Sequence, residues 1–237
     1  RSSEVRELRD FWNRYYVPNN ATLVVAGAVK HGEAQQLARR HFGWIPRGEA
    51  PPRVTVEEPV ANEARSITIE EENAPVPLVA VIARMTPLAH DDYIPLRLLT
   101  TILVGDDSSR LYRDLVVDKK LAVQTMDIAQ GLEQDGLLVI GAVLAPFGAQ
   151  PDAALEAIQA QIEKLREGEF SDDELLKARN NLLKETVVET LTVEGKAQAL
   201  GSAAVLEGDA SRVNHRLAAI RDVTREDLKR VAYEYLA

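Results

Sequence analysis

Residues that could do chemistry are concentrated first in one short loop, Gly105-Asp-Asp-Ser-Ser109. A glycine followed by hydroxyl side chains can cradle a phosphate group at the start of a helix. This loop has one glycine, two acidic residues and no lysine beside it, so it offers an anion little positive charge. Asp106 and Ser108 are residue types that cap helices. We therefore interpret the loop as the capped start of a helix.

Two further clusters have the residue types of a metal site or an acid–base pair. His90-Asp91-Asp92 could ligate a metal ion, but neighbouring residues at a helix start rarely converge on one ion. A solvated first turn of a helix is the favoured interpretation. Glu133 and Asp135 could act as an acid–base pair, but Asp135-Gly136 separates two apolar stretches and a hairpin turn accounts for both acids.

Histidine and cysteine usage gives this chain no metal site of its own. There is no cysteine, which excludes disulfides, zinc ribbons and thiol catalysis. Neither His-x-x-Glu-His nor His-Glu-x-x-His, the spacings that place zinc ligands on one helix face, occurs around any of the 4 histidines. These are His31, His41, His90 and His215. We predict no catalytic and no metal-binding residue in this chain.

Bulk composition bounds the kind of partner that the chain can have. The net charge is −9 and the isoelectric point about 5.1, which argue against nucleic acid and against anionic membrane surfaces. No apolar run reaches the length of a membrane-spanning helix. With 237 residues, 46% of them hydrophobic, the chain can build one large domain, or one and a half smaller ones. It starts without methionine, so we expect it to be a piece of a longer protein.

Helix and strand patterns indicate the elements that position these residues. Helices are predicted at 3–16, 31–42, 91–104, after the Gly105 loop, and at 151–167, 171–190, 193–206, 210–220 and 224–236. Strands are predicted at 21–29, 66–69, 77–85, 121–130 and 137–144. Residues 77–85 are apolar on both faces, which is typical of a central strand. Ser171 and Glu174 have the spacing of a capping box. The helix after the loop has Leu111 and Leu115 as its apolar stripe.

A proline- and glutamate-rich stretch divides the chain. Residues 46–64 hold four prolines and have the composition of an extended linker. We therefore predict a segment at 1–45, a linker at 46–64 and a second domain at 65–237.

The first and last helices look like copies of one element. When Leu8 is aligned with Leu228, Tyr15 falls on Tyr235. A long-period repeat implies a duplicated domain, although two unrelated amphipathic helices could share the same stripe. In the first copy the helix leads into the predicted strand 21–29. We expect that strand to complete the sheet of the second copy, in this chain or in a neighbouring molecule.

Three motifs in order resemble one protein family. The segment from Phe11 to Gly27, Phe-Trp-Asn-Arg-Tyr-Tyr-Val-Pro-Asn-Asn-Ala-Thr-Leu-Val-Val-Ala-Gly, resembles the close of the first domain of the insulinase/pitrilysin/mitochondrial-processing-peptidase family of zinc peptidases. Ser108-Ser-Arg-Leu-Tyr112, followed by Leu121-Ala122, resembles the helix-and-strand signature of that family's second domain. The resemblance covers essentially the whole chain. It implies an α+β fold, with a mostly antiparallel sheet and helices packed on one face.

The same resemblance implies a clamshell zinc metalloendopeptidase built from homologous domains around a peptide chamber. Its zinc is held in the first domain by two histidines and a distant glutamate, while the glutamate of the inverted motif activates water. Zinc is therefore expected only upstream of Arg1, in a preceding catalytic-type domain. The present chain would form part of the chamber and of subunit contacts, with no activity on its own. Resemblance to bacterial relatives also implies a periplasmic location.

The chain departs from the family at two positions. Active members carry an arginine in the helix and a tyrosine after the Leu-Ala pair, which hold the substrate backbone. Val116 and Val123 stand there, and valine cannot donate a hydrogen bond. Either a homologous partner subunit carries the pair, or the full-length protein is a structural or assembly subunit without proteolysis. Arg110 and Tyr112 are candidate substrate contacts; the alternative is that Arg110 pairs with a carboxylate and Tyr112 packs under the sheet.

Overall fold

The computed structural model describes residues 4–53, 63–70, 76–145 and 147–236. The chain forms two compact units, divided between residues 72 and 73. The first unit contains helix α1 (Val5–Tyr15), a 3₁₀ turn (Pro18–Asn20) and helix α2 (His31–Phe42). The second contains α3 (Tyr93–Val104), a π-helix (Tyr112–Asp118), α4 (Pro151–Arg166), α5 (Asp172–Glu189), α6 (Val193–Leu206), a 3₁₀ turn (Ala210–Asn214), α7 (Arg216–Asp222) and α8 (Arg225–Tyr235), with strands β1 (Leu78–Met85), β2 (Ala122–Gly131) and β3 (Gly136–Leu144). The domain boundaries drawn from composition stay a prediction.

The first unit is held together by local interactions. Helix α1 begins with a capping box between Glu4 and Glu7, and neither α1 nor α2 contains a buried residue. The side-chain amide of Asn20 donates a hydrogen bond to the Tyr15 carbonyl at 2.9 Å, which fixes the turn after α1. This unit therefore has defined helices but no apolar core among its described residues.

Two of the predicted strands are wrong. Residues 21–29 and 66–69 lie in the described part of the chain and form no strand. Both segments have the apolar content of a strand, but a strand needs a neighbouring backbone to satisfy its amides and carbonyls. The three-stranded sheet of the described residues contains neither segment. The strand predicted at 21–29 is therefore wrong, and the completion of a sheet by this segment in a neighbouring molecule stays a prediction.

The sheet of the second unit is antiparallel, in the order β1-β3-β2. β3 is thus the central strand, and β1 is an edge strand among the described residues. The prediction of a central strand at 77–85 is wrong in this respect. In β1 only Met85 is buried, and the other apolar residues are half-buried or exposed, whereas residues 138–142 of β3 are all buried. Apolar content indicates that a strand lies near a core, but its place in the sheet depends on partners distant in sequence.

Helices pack on one face of this sheet. The alternating side chains Leu138, Ile140 and Leu144 of β3 are at most 2% exposed and join the core that the helices form. Helix contributions to this core include Leu96, Leu99 and Leu103 from α3, Ile158 and Leu165 from α4, and Leu228 and Val231 from α8. The predicted fold class, α+β with a mostly antiparallel sheet and helices on one face, is confirmed.

The opposite face of the sheet, which we call the open sheet face, is apolar and accessible. Ile82 of β1 and Ile128 of β2 are both paired with Val139 of β3, so the three side chains form one row across the sheet. Ile82 is 68% exposed and Ile128 40%. Leu78 and Leu137 are also exposed on this face. The strands thus bury one apolar face and present a second.

The remaining helix predictions are largely confirmed, with two differences. The predicted helix at 210–220 is split into a 3₁₀ turn and α7. The helix after the Gly105 loop is a π-helix, in which the Lys119 amide donates to the Asp114 carbonyl at 2.9 Å, five residues back. Leu115 is fully buried within it. A π turn at this place is notable because such turns are frequent at functional sites.

Candidate functional site

The Gly105 loop is tied to α5. The Asp106 carboxylate accepts three hydrogen bonds. They come from the backbone amide of Ser108 at 2.8 Å, the Lys177 ammonium at 2.6 Å and the side-chain amide of Asn181 at 3.0 Å. Burial raises the pKa of Asp106, but these hydrogen bonds outweigh it and hold the pKa well below its usual range. No side chain of the loop caps the π-helix that follows. The loop therefore anchors two helices to each other and has no free cation for a phosphate.

Arg110 is engaged in an ion pair. Its Nε and Nη2 atoms donate to the two carboxylate oxygens of Glu174 at 2.6 and 3.0 Å, and Nη2 also donates to the Glu169 carbonyl at 2.5 Å. Arg110 lowers the pKa of Glu174 to about 2. Glu174 also accepts the Ser171 amide in the predicted capping box of α5, which is confirmed. The guanidinium is thus held by α5, while contact with a substrate stays a prediction.

Tyr112 and Val116 lie one turn apart in the π-helix. Both are half-buried, and Val116 packs against the core. Tyr112 lies outside that core cluster. The position that the resemblance assigns to the family's arginine thus carries an apolar side chain, which packs against the core.

Val123 occupies a bulge at the start of β2. Ala122 pairs with Leu144 and Gln124 with Val143, so the register skips Val123. A bulge reorients the side chain at its position and is common beside active sites. Val123 is 51% exposed, so its side chain points to a surface where it offers no hydrogen-bond donor.

The His90-Asp91-Asp92 cluster is engaged in structural contacts. His90 Nδ1 accepts a hydrogen bond from the backbone amide of Asp92 at 3.1 Å. The buried Asp92 carboxylate accepts hydrogen bonds from the Arg230 guanidinium at 3.0 Å and from the Tyr235 hydroxyl at 2.9 Å. The Arg230 hydrogen bond lowers the pKa of Asp92. Throughout the described residues, no three histidine or acidic side chains lie close enough together to hold a metal ion.

Glu133 and Asp135 lie at the β2–β3 connection, as the hairpin interpretation predicts. Asp135 accepts a hydrogen bond from Arg84 at 2.7 Å. The Asp135 carbonyl accepts the Leu132 amide at 2.8 Å, which closes the turn.

Nothing in the sequence predicts a second ion-pair cluster, around Arg97 of α3. Arg97 donates to Glu185 of α5 at 3.1 Å and lies 3.7 Å from Asp127 of β2. Burial raises the pKa of Asp127 although Arg97 opposes the shift. The residues are far apart in sequence and share no local spacing, so only the fold brings them together.

In the described ranges, no helix is both long and apolar enough to cross a bilayer.

Comparison with known proteins identifies the family. The model of the family described as "Peptidase M16 inactive domain" matches residues 4–182. The chain is 27% identical over 237 residues to the zinc protease PqqE of Helicobacter pylori, covering 98% of this chain and 52% of that protein. The chain spans about half the length of the curated relatives it matches.

Solved structures agree with this match. The crystal structure of a protease from Helicobacter pylori superposes with a TM-score of 0.92 at 25% identity, covering 100% of this chain and 57% of that one. The inactive peptidase domain of a Bordetella parapertussis protein gives a TM-score of 0.58 at 31% identity, over 69% of this chain and 89% of that one. The family expected from the Ser108–Tyr112 signature is confirmed. The chain belongs to the Peptidase M16 family, as its inactive, non-catalytic domain.

Proposed function

We propose that this chain is the non-catalytic half of a zinc metalloendopeptidase and forms part of the wall of its peptide chamber. The observation that carries the proposal is the open sheet face, an accessible apolar surface in a domain whose helices cover the other face. Ile82, Ile128 and Leu137 could accept apolar side chains of an extended peptide. The structural-subunit alternative is not favoured, because the matched relatives are named as zinc proteases.

Zinc would be held by an upstream domain. The histidines of this chain do not fit a zinc site: His90 Nδ1 accepts the Asp92 amide, and no metal-holding group of side chains exists in the described residues. No chemical step is therefore assigned to residues of this chain. A preceding catalytic-type domain would supply both the metal and the activated water.

The missing donors would come from a homologous partner subunit. Val116 and Val123 stand where the family's arginine and tyrosine are expected, and neither can hold a peptide backbone. Arg110, bound to Glu174, would position the helix rather than reach a peptide. Tyr112 remains a candidate substrate contact. A periplasmic location is also part of this proposal.

The test is peptide hydrolysis by the full-length protein to which this chain would belong, which we call the full-length parent. Hydrolysis is measured with and without a co-expressed homologue that carries the arginine and the tyrosine expected at the positions of Val116 and Val123. We expect one zinc per parent chain and hydrolysis only with the homologue present. Stoichiometric zinc in the present chain alone would contradict the proposal. A parent without zinc and without hydrolysis under either condition would restore the structural-subunit alternative.

A further inference from the structure

The open sheet face is a regular grid of side chains. Side chains alternate between the two faces of a strand, so every second residue of each strand belongs to this face. The strand pairing aligns these residues in rows across the sheet. From one end of the sheet to the other the rows are Leu78-Val143-Gln124, Ala80-Gly141-Met126, Ile82-Val139-Ile128 and Arg84-Leu137-Gln130. Val123, in the bulge of β2, is exposed next to the first row.

Charge is almost absent from this grid. In the whole chain 27% of the residues are charged and the net charge is −9. None of the residue types in the first three rows ionises. The fourth row carries Arg84, which forms an ion pair with Asp135 at 2.7 Å. Burying a charged group against an apolar surface is unfavourable, so a face of this composition selects uncharged, apolar groups.

The second row is lower than its neighbours. Ala80 and Gly141 have the shortest side chains of the grid. On β1, Leu78 and Ile82 stand on either side of Ala80 and are 54% and 68% exposed. A Cβ atom added to Gly141 would lie 2.8 Å from the carbonyl oxygen of Val79, so the close approach of β1 and β3 keeps this row low. The face therefore has a dip between two apolar ridges.

We propose that the open sheet face binds an extended peptide with uncharged apolar side chains at every second residue, the bulkiest of them over the second row. Neighbouring rows are about 6.8 Å apart, which is also the distance between alternate side chains of an extended peptide that lies along the strands. Four rows match a segment of about seven residues. This inference rests on the proposed function, which supplies the peptide, and it adds the chemical class of that peptide.

The positions of the dip and of Arg84 fix a relationship within the peptide. A bulky side chain fits best over the second row. An acidic side chain is tolerated over the fourth row, where Arg84 offers a positive charge. The two rows are separated by four residues of an extended peptide, whichever way the peptide runs. Binding that depends on apolar content alone would not produce this relationship.

Fluorescence anisotropy with labelled heptapeptides and this chain tests the inference. The probe has leucine at every second position, including both ends, and serine between. Glutamate in place of one leucine should raise the Kd roughly tenfold at three of the four leucine positions and less than about twofold at one end. Phenylalanine should lower the Kd roughly threefold at the leucine position four residues from that tolerant end. Equal effects of glutamate at all four positions would overturn the inference.

A scrambled peptide controls for apolar content. It has the same composition with its leucines adjacent, and its Kd should be at least roughly fivefold higher, because fewer leucines reach the face at once. Equal binding of the probe and the scrambled peptide would overturn the inference.

Variants of this chain locate the binding surface. Ile82→Ser should raise the Kd of the probe roughly fivefold or more, because it removes an exposed apolar side chain of the grid. Leu176→Ser is the matched control, since Leu176 is 52% exposed on α5. Ala80→Leu fills the dip and should abolish the preference for phenylalanine. Thermal unfolding of each variant separates lost binding from lost fold. Equal losses with Ile82→Ser and Leu176→Ser in folded variants would overturn the inference.

Two further measurements separate this inference from its alternatives. Sedimentation of this chain would reveal a second copy as the occupant, and a dimer that Ile82→Ser dissociates would overturn the inference. The pattern of heptapeptide binding with a full-length parent that lacks zinc and hydrolysis would contradict the proposed function alone. Hydrolysis by the parent without any such pattern in binding would contradict this inference alone.

Discussion

Arg110 binds Glu174 through two parallel hydrogen bonds across a sequence separation of 64 residues. The guanidinium side chain is only 16% exposed, so solvent screens the pair less than a surface ion pair. Arg110, which belongs to the family signature at Ser108–Tyr112, therefore links the π-helix segment to α5. Its first measurable role is in stability.

Arg110→Ala should lower the free energy of unfolding by about 2–3 kcal/mol, because hydrogen bonds to charged groups are lost and Glu174 is left without its cation. Arg110→Lys should recover only part of this loss, since lysine cannot form the paired geometry. Urea denaturation of the purified chain measures both. Arg113→Ala, an exposed arginine of the same helix, is the control. Equal effects of the two alanine variants would show that the ion pair contributes nothing.

Stability should fall in acid as Glu174 takes up a proton. Its pKa is about 2 in the folded chain against an ordinary value of 4.5. A lowered pKa stabilises the folded state above the ordinary value, and this contribution is lost as the pH falls from about 4.5 towards 2. Glu174→Gln should therefore be less stable than the unsubstituted chain at neutral pH. The difference in unfolding free energy should shrink as the pH falls through this range. A difference in unfolding free energy that is constant with pH would contradict this assignment.

Val116 and Val123 should differ in how well they tolerate the arginine and the tyrosine that the family resemblance places there. Val123→Tyr is expected to change the free energy of unfolding by less than about 0.5 kcal/mol, because the bulge exposes the side chain. Val116→Arg should cost about 1–2 kcal/mol, because Val116 packs against the core. Thermal and urea unfolding would measure these changes. The reverse order of costs would mean that the bulge at Val123 is misassigned.

In the full-length parent, the double variant Val116→Arg and Val123→Tyr should raise peptide hydrolysis measured without a partner subunit. The two side chains would supply hydrogen-bond donors that the valines lack. Val116→Leu with Val123→Phe is the matched control, since it adds volume without a donor at the arginine position or a hydroxyl at the tyrosine position. No gain over this control in a stably folded variant would argue that other features keep the domain inactive.

Asp92→Asn should cost about 2–3 kcal/mol of unfolding free energy, because a buried carboxylate loses its charged hydrogen bonds with Arg230. Tyr235→Phe should cost about 1 kcal/mol, the usual contribution of one hydrogen bond. The double variant should cost less than the sum, because both changes remove the same contact. Glu234→Gln, which affects only an exposed pair with Arg230, serves as the control. Strict additivity in urea denaturation would show that Asp92 and Tyr235 are not coupled.

Local features of this chain are readable from sequence because they depend on near neighbours. The Ser171–Glu174 capping box, the bounds of α2 and the β2–β3 hairpin follow from spacing, and so does the family signature at Ser108–Tyr112. Features that depend on distant segments are not readable in this way. The edge position of β1 and the partner of Arg110 are set by residues far along the chain. The bulge at Val123 leaves no local signal, since valine is an ordinary strand residue.

The π-helix shows the same limit within one element. Leu111 and Leu115 are spaced for an α-helix, and both are fully buried. The wider turn shows in the hydrogen bond that the Lys119 amide donates to the Asp114 carbonyl, and Lys120 after the helix has a left-handed backbone, at φ 54°. That conformation is uncommon for a residue with a side chain. The stretch between the helix and β2 is therefore constrained by the surrounding structure.

The double role of Glu174 makes two segments distant in sequence into one cooperative unit. Its carboxylate closes the first turn of α5 through Ser171 and anchors the π-helix through Arg110. Fraying of α5 at this end therefore releases Arg110, and detachment of Arg110 weakens the cap. We therefore expect the start of α5 and the segment that carries Tyr112 and Val116 to open together. A change at either end would weaken the contact that holds the other.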